Sequence, residues 1–127
     1  MLAIIGGTGL TEMDGLDVIS HQKVDTQWGD PSAEIITGSI GGKHVLFLAR
    51  HGHPHRIPPH KVNYRANIQA LKNAGATAII AVNAVGGIHP DCEPAGLMIP
   101  DQIVDYTWGR EHTFFADELD DVVHIDF

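Results

Sequence analysis

The chain has 127 residues, 43% of them hydrophobic, with a formal net charge of -8 and a pI near 5.4. That is enough apolar content for one compact α/β domain spanning residues 1–127 and too short a chain for two, while the acidic balance excludes a general nucleic-acid binder, which needs a broad basic face. The single cysteine, Cys92, has no intrachain disulfide partner and reads as a bystander thiol in a reducing compartment.

The first element is a short apolar run, Leu2 to Ile5, closed by Gly6-Gly7-Thr8-Gly9, the pattern of a buried strand followed by a tight turn. It lacks the basic flank and long apolar core of a secretory leader, so a soluble, cytoplasmic protein is expected. Asp17 to Asp25 predicts an exposed strand. Glu34 to Ile40, Gly41-Gly42 and Lys43 to Ala49 predict a hairpin with a glycine turn, its second arm ending in the buried run Val45-Leu46-Phe47-Leu48-Ala49. After Pro58-Pro59, the spacing of Tyr64, Ile68 and Leu71 predicts a helix that Gly75 terminates. Ala76 to Val82 is β-branched and uncharged, which predicts a central strand buried on both faces, and strand, helix and strand together imply a βαβ unit. Ile103 to Thr107 suggests one more strand, and Asp117 to Asp121 is an acidic cluster without a clear period. Asn73 to Pro90 is uncharged for 18 positions, but Asn, His and Gly interrupt it, so no membrane span is expected.

Charge is distributed unevenly along this order. Ile35 to Pro90 holds no Asp or Glu, although the chain has 16 of them, six before that stretch and ten after it; six of the eight Lys and Arg residues lie inside it. Within it, Arg50-His51-Gly52-His53-Pro54-His55-Arg56 gathers cations and imidazoles in a Gly/Pro-rich loop. A local cationic pocket on an acidic protein focuses field on a small anion. Three strands are expected to end in glycine-rich or polar turns: Gly6 to Gly9, Arg50 to Gly52, and Asn83-Ala84-Val85-Gly86-Gly87. Ligands of open α/β sheets bind at the carboxyl ends of strands, so these turns can converge on phosphate. Glycines admit close backbone N–H approach, Thr8 adds a hydroxyl donor, Arg50 offers a bidentate fork, His51 can donate a further hydrogen bond, and Asn83 with the Ala84 N–H completes the set.

Competing motifs are weaker. Glu12 stands where a dinucleotide fingerprint needs its third glycine, and no glycine loop continues into GK[ST]. His51, His53 and His55 alternate, and on one face of an extended segment they could ligate the metal of a hydrolase. Gly52 and Pro54 disturb that segment, however, and no nearby carboxylate is available to orient such ligands. A non-catalytic phosphate-binding module is the remaining alternative. His21, His44, His89 and His112 carry no assigned role.

The chain resembles the trimeric purine nucleoside phosphorylase family, in particular its methylthioadenosine and methylthioinosine phosphorylase branch. The resemblance rests on Ile4-Ile5-Gly6-Gly7-Thr8-Gly9-Leu10, on Leu48-Ala49-Arg50-His51-Gly52 continuing through Pro59-His60-Lys61-Val62-Asn63-Tyr64-Arg65-Ala66-Asn67-Ile68, and on Asn83-Ala84-Val85-Gly86-Gly87. It implies a mixed central sheet flanked by helices and incomplete in this chain, which corresponds to the N-terminal half of a family member. It also implies a homotrimer with no metal or organic cofactor, in which inorganic phosphate is a co-substrate. Thr8, Arg50, His51, Asn83 and Ala84 fall on the family's phosphate positions, with Arg50 and His51 its catalytic pair. Val122 to Phe127 resembles the segment that reaches a neighbouring subunit's pocket, with His124 as the pocket residue. The implied reaction is phosphorolysis of a 5′-methylthio purine nucleoside, or of purine nucleosides generally, by a pentosyltransferase. The family's base-selecting residues lie in the half that this chain lacks, and isolated turnover is expected to be little or none.

Overall fold

The computed structural model describes residues 1–115 together with Val122 and His124, and the chain divides into two compact units, Met1–Ala84 and Val85–Phe127. The first carries all the regular structure described: β1 (Leu2–Gly6), β2 (Asp17–Gln22), β3 (Ile35–Ile40), β4 (Lys43–Ala49), a 3-10 turn at Pro59–Lys61, α1 (Tyr64–Asn73) and β5 (Ala78–Ala81). The sheet order is β2-β3-β4-β1-β5. β2, β3 and β4 form an antiparallel meander, and β4, β1 and β5 are parallel, so the sheet is mixed as expected.

Alternation along the strands builds the core. Ala3 and Ile5 of β1, Ile35 of β3, and Leu46 and Leu48 of β4 point to the face covered by α1, where Ala70 and Leu71 meet them and Val24 closes the margin. Each fully buried Leu or Ile on that face contributes about 1.5 to 3 kcal/mol over its exposed state. The β3–β4 hairpin turns through Gly41 (φ 54) and Gly42 (φ 76), two successive positive φ values that a two-residue turn of this hand requires.

α1 starts at Asn63, whose side-chain oxygen accepts from the Ala66 N–H at 3.1 Å, and stops before Gly75 at φ 93, where the predicted terminator stands. It carries the chain from β4 to β5, with β1 lying between those two parallel strands. The predicted βαβ crossover is therefore present.

Two expectations are corrected. Among the described residues β5 is an edge strand and not a central one: it pairs there only with β1, and Ile79 and Ile80 remain 37% and 52% exposed. Its apolar composition suits two covered faces and two ladders, but the described residues supply one ladder. Ile103 to Thr107 forms no strand. A strand needs a hydrogen-bonded partner, whereas this segment is exposed, with Thr107 N–H donating locally to Asp105 Oδ1 at 2.8 Å.

The second unit has no helix or strand among its described residues. Its order is that of turns, in which Cys92 N–H donates to the His89 carbonyl at 2.9 Å and Gly96 N–H to the Glu93 carbonyl at 3.0 Å. Asp117 to Asp121 lies outside the described residues. No helix of the described chain is long and apolar enough to cross a membrane.

Candidate anion-binding site

Because β4, β1 and β5 are parallel and adjacent, their carboxyl ends share one edge of the sheet, with Gly6 opposite Ala49 and Ile5 opposite Ala81 in register. The ladder runs one step past the strands: Arg50 N–H donates to the Gly6 carbonyl at 2.9 Å, and Val82 N–H to the Ile5 carbonyl at 2.9 Å. Arg50 and Asn83, 33 residues apart in sequence, thereby become neighbours. The Arg50 Nη1–H donates to Asn83 Oδ1 at 2.5 Å.

Gly7 completes the contact. A Cβ there would collide with the Arg50 guanidinium and come within 2.6 Å of the Val82 carbonyl oxygen, so glycine is required for the close approach of the β1 turn to the cation. That turn is closed by Leu10 N–H donating to the Gly7 carbonyl at 3.0 Å, and it exposes Thr8. Ala84 is likewise exposed, one residue beyond Asn83.

His51 is only 5% exposed. Its Nδ1 lies 2.7 Å from the Ile57 carbonyl oxygen. A carbonyl only accepts, so Nδ1 carries the proton and Nε2 is left as an acceptor, 3.5 Å from the Arg50 Nε–H. Arg56 and Ile57 N–H groups both donate to the His51 carbonyl at 2.9 Å, and Gly52 (φ 79) lets the loop turn back over itself.

The three alternating histidines do not converge. His55 stacks on His51 with ring centroids 4.6 Å apart and planes inclined by 19°, whereas His53 Nε2 faces Glu12 at 3.7 Å. Among the described residues no group of three or more His, Cys, Asp or Glu side chains is placed to hold a metal ion. His124 is exposed within the second unit, and residues 125–127 lie outside those described.

The sequence reading missed the clamp beneath this loop. Asn63 and Asn67, one turn apart on α1, bind the segment before β3: Asn63 Nδ2–H donates to the Trp28 carbonyl at 2.7 Å, Ser32 N–H donates to Asn67 Oδ1 at 2.7 Å, and Asn67 Nδ2–H donates to Ser32 Oγ at 2.9 Å. Arg65 lies over the Trp28 ring at 4.4 Å. The available signal was the i, i+4 spacing of two asparagines at a helix start. The cavity beside the loop was also missed. It has a volume of about 550 Å³, a floor of Ile36, Phe47 and Ala49, and a rim that includes Glu12, His53 and Arg56; neither Arg50 nor Asn83 lines it.

A mixed sheet whose parallel-strand edge carries a guanidinium, an amide and a glycine turn defines the chain as an α/β protein, with these strand ends as its candidate oxyanion site. The phosphorylase superfamily profile matches residues 1–127, and the chain belongs to that family. It is 62% identical over 125 residues to a probable S-methyl-5′-thioinosine phosphorylase of Pseudomonas syringae pv. tomato, covering 98% of this chain and 51% of that protein. It is 49% identical over 124 residues to an S-methyl-5′-thioadenosine phosphorylase of Hyperthermus butylicus, covering 98% of this chain and 44% of that one. Among solved structures, methylthioadenosine phosphorylase from Schistosoma mansoni in complex with adenine superimposes with a TM-score of 0.88 at 40% identity, over 98% of this chain and 46% of the other. The chain thus spans about half the length of the curated relatives it matches.

Proposed function

We propose that this chain is the phosphate-holding half of a 5′-methylthio purine nucleoside phosphorylase, a pentosyltransferase that cleaves the N-glycosidic bond with inorganic phosphate and releases the purine and 5-methylthioribose 1-phosphate. The observation that carries this reading is the Arg50–Asn83 bridge packed against the Gly7 turn at the ends of three parallel strands. The names of the relatives support the nucleoside class.

In this reading Arg50, Thr8, Asn83 and the backbone N–H groups around Gly7 and Ala84 hold phosphate, with His51 on its flank. Phosphate is the nucleophile at C1′ of an oxocarbenium-like ribosyl centre, so a pair of enzyme carboxylates is not needed. Catalysis comes from orientation of the anion and from its charge beneath the developing cation. No metal or organic cofactor takes part, the assembly is a cytoplasmic homotrimer, and His124 reaches a neighbour's nucleoside pocket.

The test is purine release from methylthioinosine and methylthioadenosine by a polypeptide of the relatives' length that carries this sequence, with and without phosphate and with a chelator control. Phosphate-dependent, chelator-resistant release is expected, and the faster nucleoside identifies the base preference. Release without phosphate would replace this reading with hydrolysis. The 127-residue chain alone is expected to bind phosphate with little or no turnover.

A further inference from the structure

We infer that the cavity beside the loop from Arg50 to Arg56 is a second ligand site, built for a small apolar α-amino acid in its zwitterionic form: Arg56 takes the carboxylate, Glu12 the ammonium group, and the Phe47 floor the side chain. It is separate from the strand-end site, since neither Arg50 nor Asn83 lines it.

The loop gathers more cationic groups than the strand-end site uses. His53 and Arg56 stand instead at the rim of a cavity of about 550 Å³, a size within the range of small-molecule pockets. Strand alternation supplies its floor. Ile35, Leu46 and Leu48 belong to the core under α1, so Ile36 and Phe47, which are aligned in register, face the opposite side of the sheet. Met13 and Leu16, from the chain between β1 and β2, add apolar wall above them.

The rim carries charge of both signs. Glu12 Oε1 lies 3.7 Å from His53 Nε2, which sets a carboxylate against the loop three residues before Arg56. Glu34, also at the rim, faces His21 Nδ1 at 3.7 Å, and among the described residues Arg56 has no ion pair. An unpaired guanidinium is a planar fork for a carboxylate, and a carboxylate accepts from an ammonium group. A ligand of one charge answers half of this rim and meets like charge in the other half. A ligand with both charges on one carbon and an apolar body answers the rim and the floor together.

The experiment follows backbone amide shifts of the 127-residue chain, and of a polypeptide of the relatives' length that carries it, during titration at neutral pH. The probes are L-phenylalanine, 3-phenylpropionate, 2-phenylethylamine and L-serine, which remove the ammonium, the carboxylate and the apolar body in turn. L-phenylalanine is expected to bind with roughly millimolar affinity or tighter, to shift Glu12, Phe47 and Arg56, and to exceed each of the other three about ten-fold. Arg56→Gln should abolish most of its advantage over 2-phenylethylamine, and Glu12→Gln most of its advantage over 3-phenylpropionate. Inorganic phosphate should bind wild type and both variants alike; a phosphate affinity that falls with Arg56→Gln would merge the two sites and overturn the inference. No shift at the cavity, an L-phenylalanine affinity no higher than that of either singly charged analogue, or binding confined to the shorter chain would overturn it as well and leave the phosphate reading standing. Glu12 and Arg56 are both exposed, so neither substitution should disturb the fold; if one does, the wild-type ranking of the four probes still decides.

Discussion

Arg50 is held from three directions: its amide by the Gly6 carbonyl, its Nη1 by Asn83, and its guanidinium plane by the packed Gly7 turn. A guanidinium fixed in this way loses little entropy on meeting an anion, which separates a binding arginine from a surface one. Arg50→Ala is expected to cost about 2 to 4 kcal/mol of transition-state stabilisation in the relatives' full-length context, read from kcat/KM for phosphate; an unchanged phosphate dependence would remove Arg50 from the mechanism. Asn83→Ala should act through Arg50 and weaken phosphate by about 1.5 to 3 kcal/mol, the usual strength of a hydrogen bond to a charged group, with little change in melting temperature. Gly7→Ala should do both kinds of damage, because its Cβ displaces the guanidinium and presses on the Val82 carbonyl; about 1 to 3 kcal/mol of stability is expected to be lost, measured by urea unfolding. The residue types of this edge are legible in the sequence as a cation, an amide and a glycine after three apolar runs. Their pairing is not, since the Arg50–Asn83 contact spans 33 residues and exists only because β1 lies between β4 and β5.

At the level of elements, periodicity was informative where one face is covered and silent where polar side chains do the joining. The β3–β4 hairpin and α1 follow from alternation, the Gly41-Gly42 turn and the Tyr64, Ile68, Leu71 spacing, and the structure ends them within a residue or two of the expected limits. The clamp from α1 to the segment at Trp28 and Ser32 has no periodic signature, because Asn63 and Asn67 serve partners 35 residues away. Asn67 is 3% exposed with both amide atoms bonded, so Asn67→Ala leaves the Ser32 N–H and hydroxyl without those partners. About 1 to 3 kcal/mol of stability should be lost, seen as a lower urea midpoint with unchanged slope; a midpoint that does not move would mean that water replaces the amide. In the second unit, the bonds from Thr107 hold the Asp105 carboxyl below its ordinary range. A depressed folded value means that this turn is favoured above the ordinary carboxylate range and is lost as pH falls through the lowered value. The Thr107 amide shift should report that transition under acid titration.

For the molecule as a whole, the informative disagreement lies at β5. Its uncharged, β-branched sequence reads as a strand covered on both faces, yet in the described residues it closes the sheet with one edge unpaired. Ile79 shares a shallow groove with Ile68 and Lys72 on the α1 side, while Ile80 is aligned with Ile4 on the other face, so both sides of the strand present apolar surface next to free backbone groups. The composition is that of an interior strand, and pattern alone does not reveal which neighbours a given length of chain provides. The chain spans about half the length of its curated relatives. An apolar strand with an open ladder is a template for pairing with another copy. The 127-residue chain is therefore expected to self-associate as its concentration rises, with a light-scattering mass above that of one chain. Ile80→Lys places a charge on the exposed face of that edge without touching the α1 core, and should shift the population back toward the single chain while leaving the far-ultraviolet circular dichroism unchanged. If wild type stays a single chain across the accessible range, the β5 edge is not exposed in solution. If the variant associates as strongly as wild type, association runs through another surface, for which the exposed Val104, Tyr106 and Trp108 of the second unit are the first residues to replace.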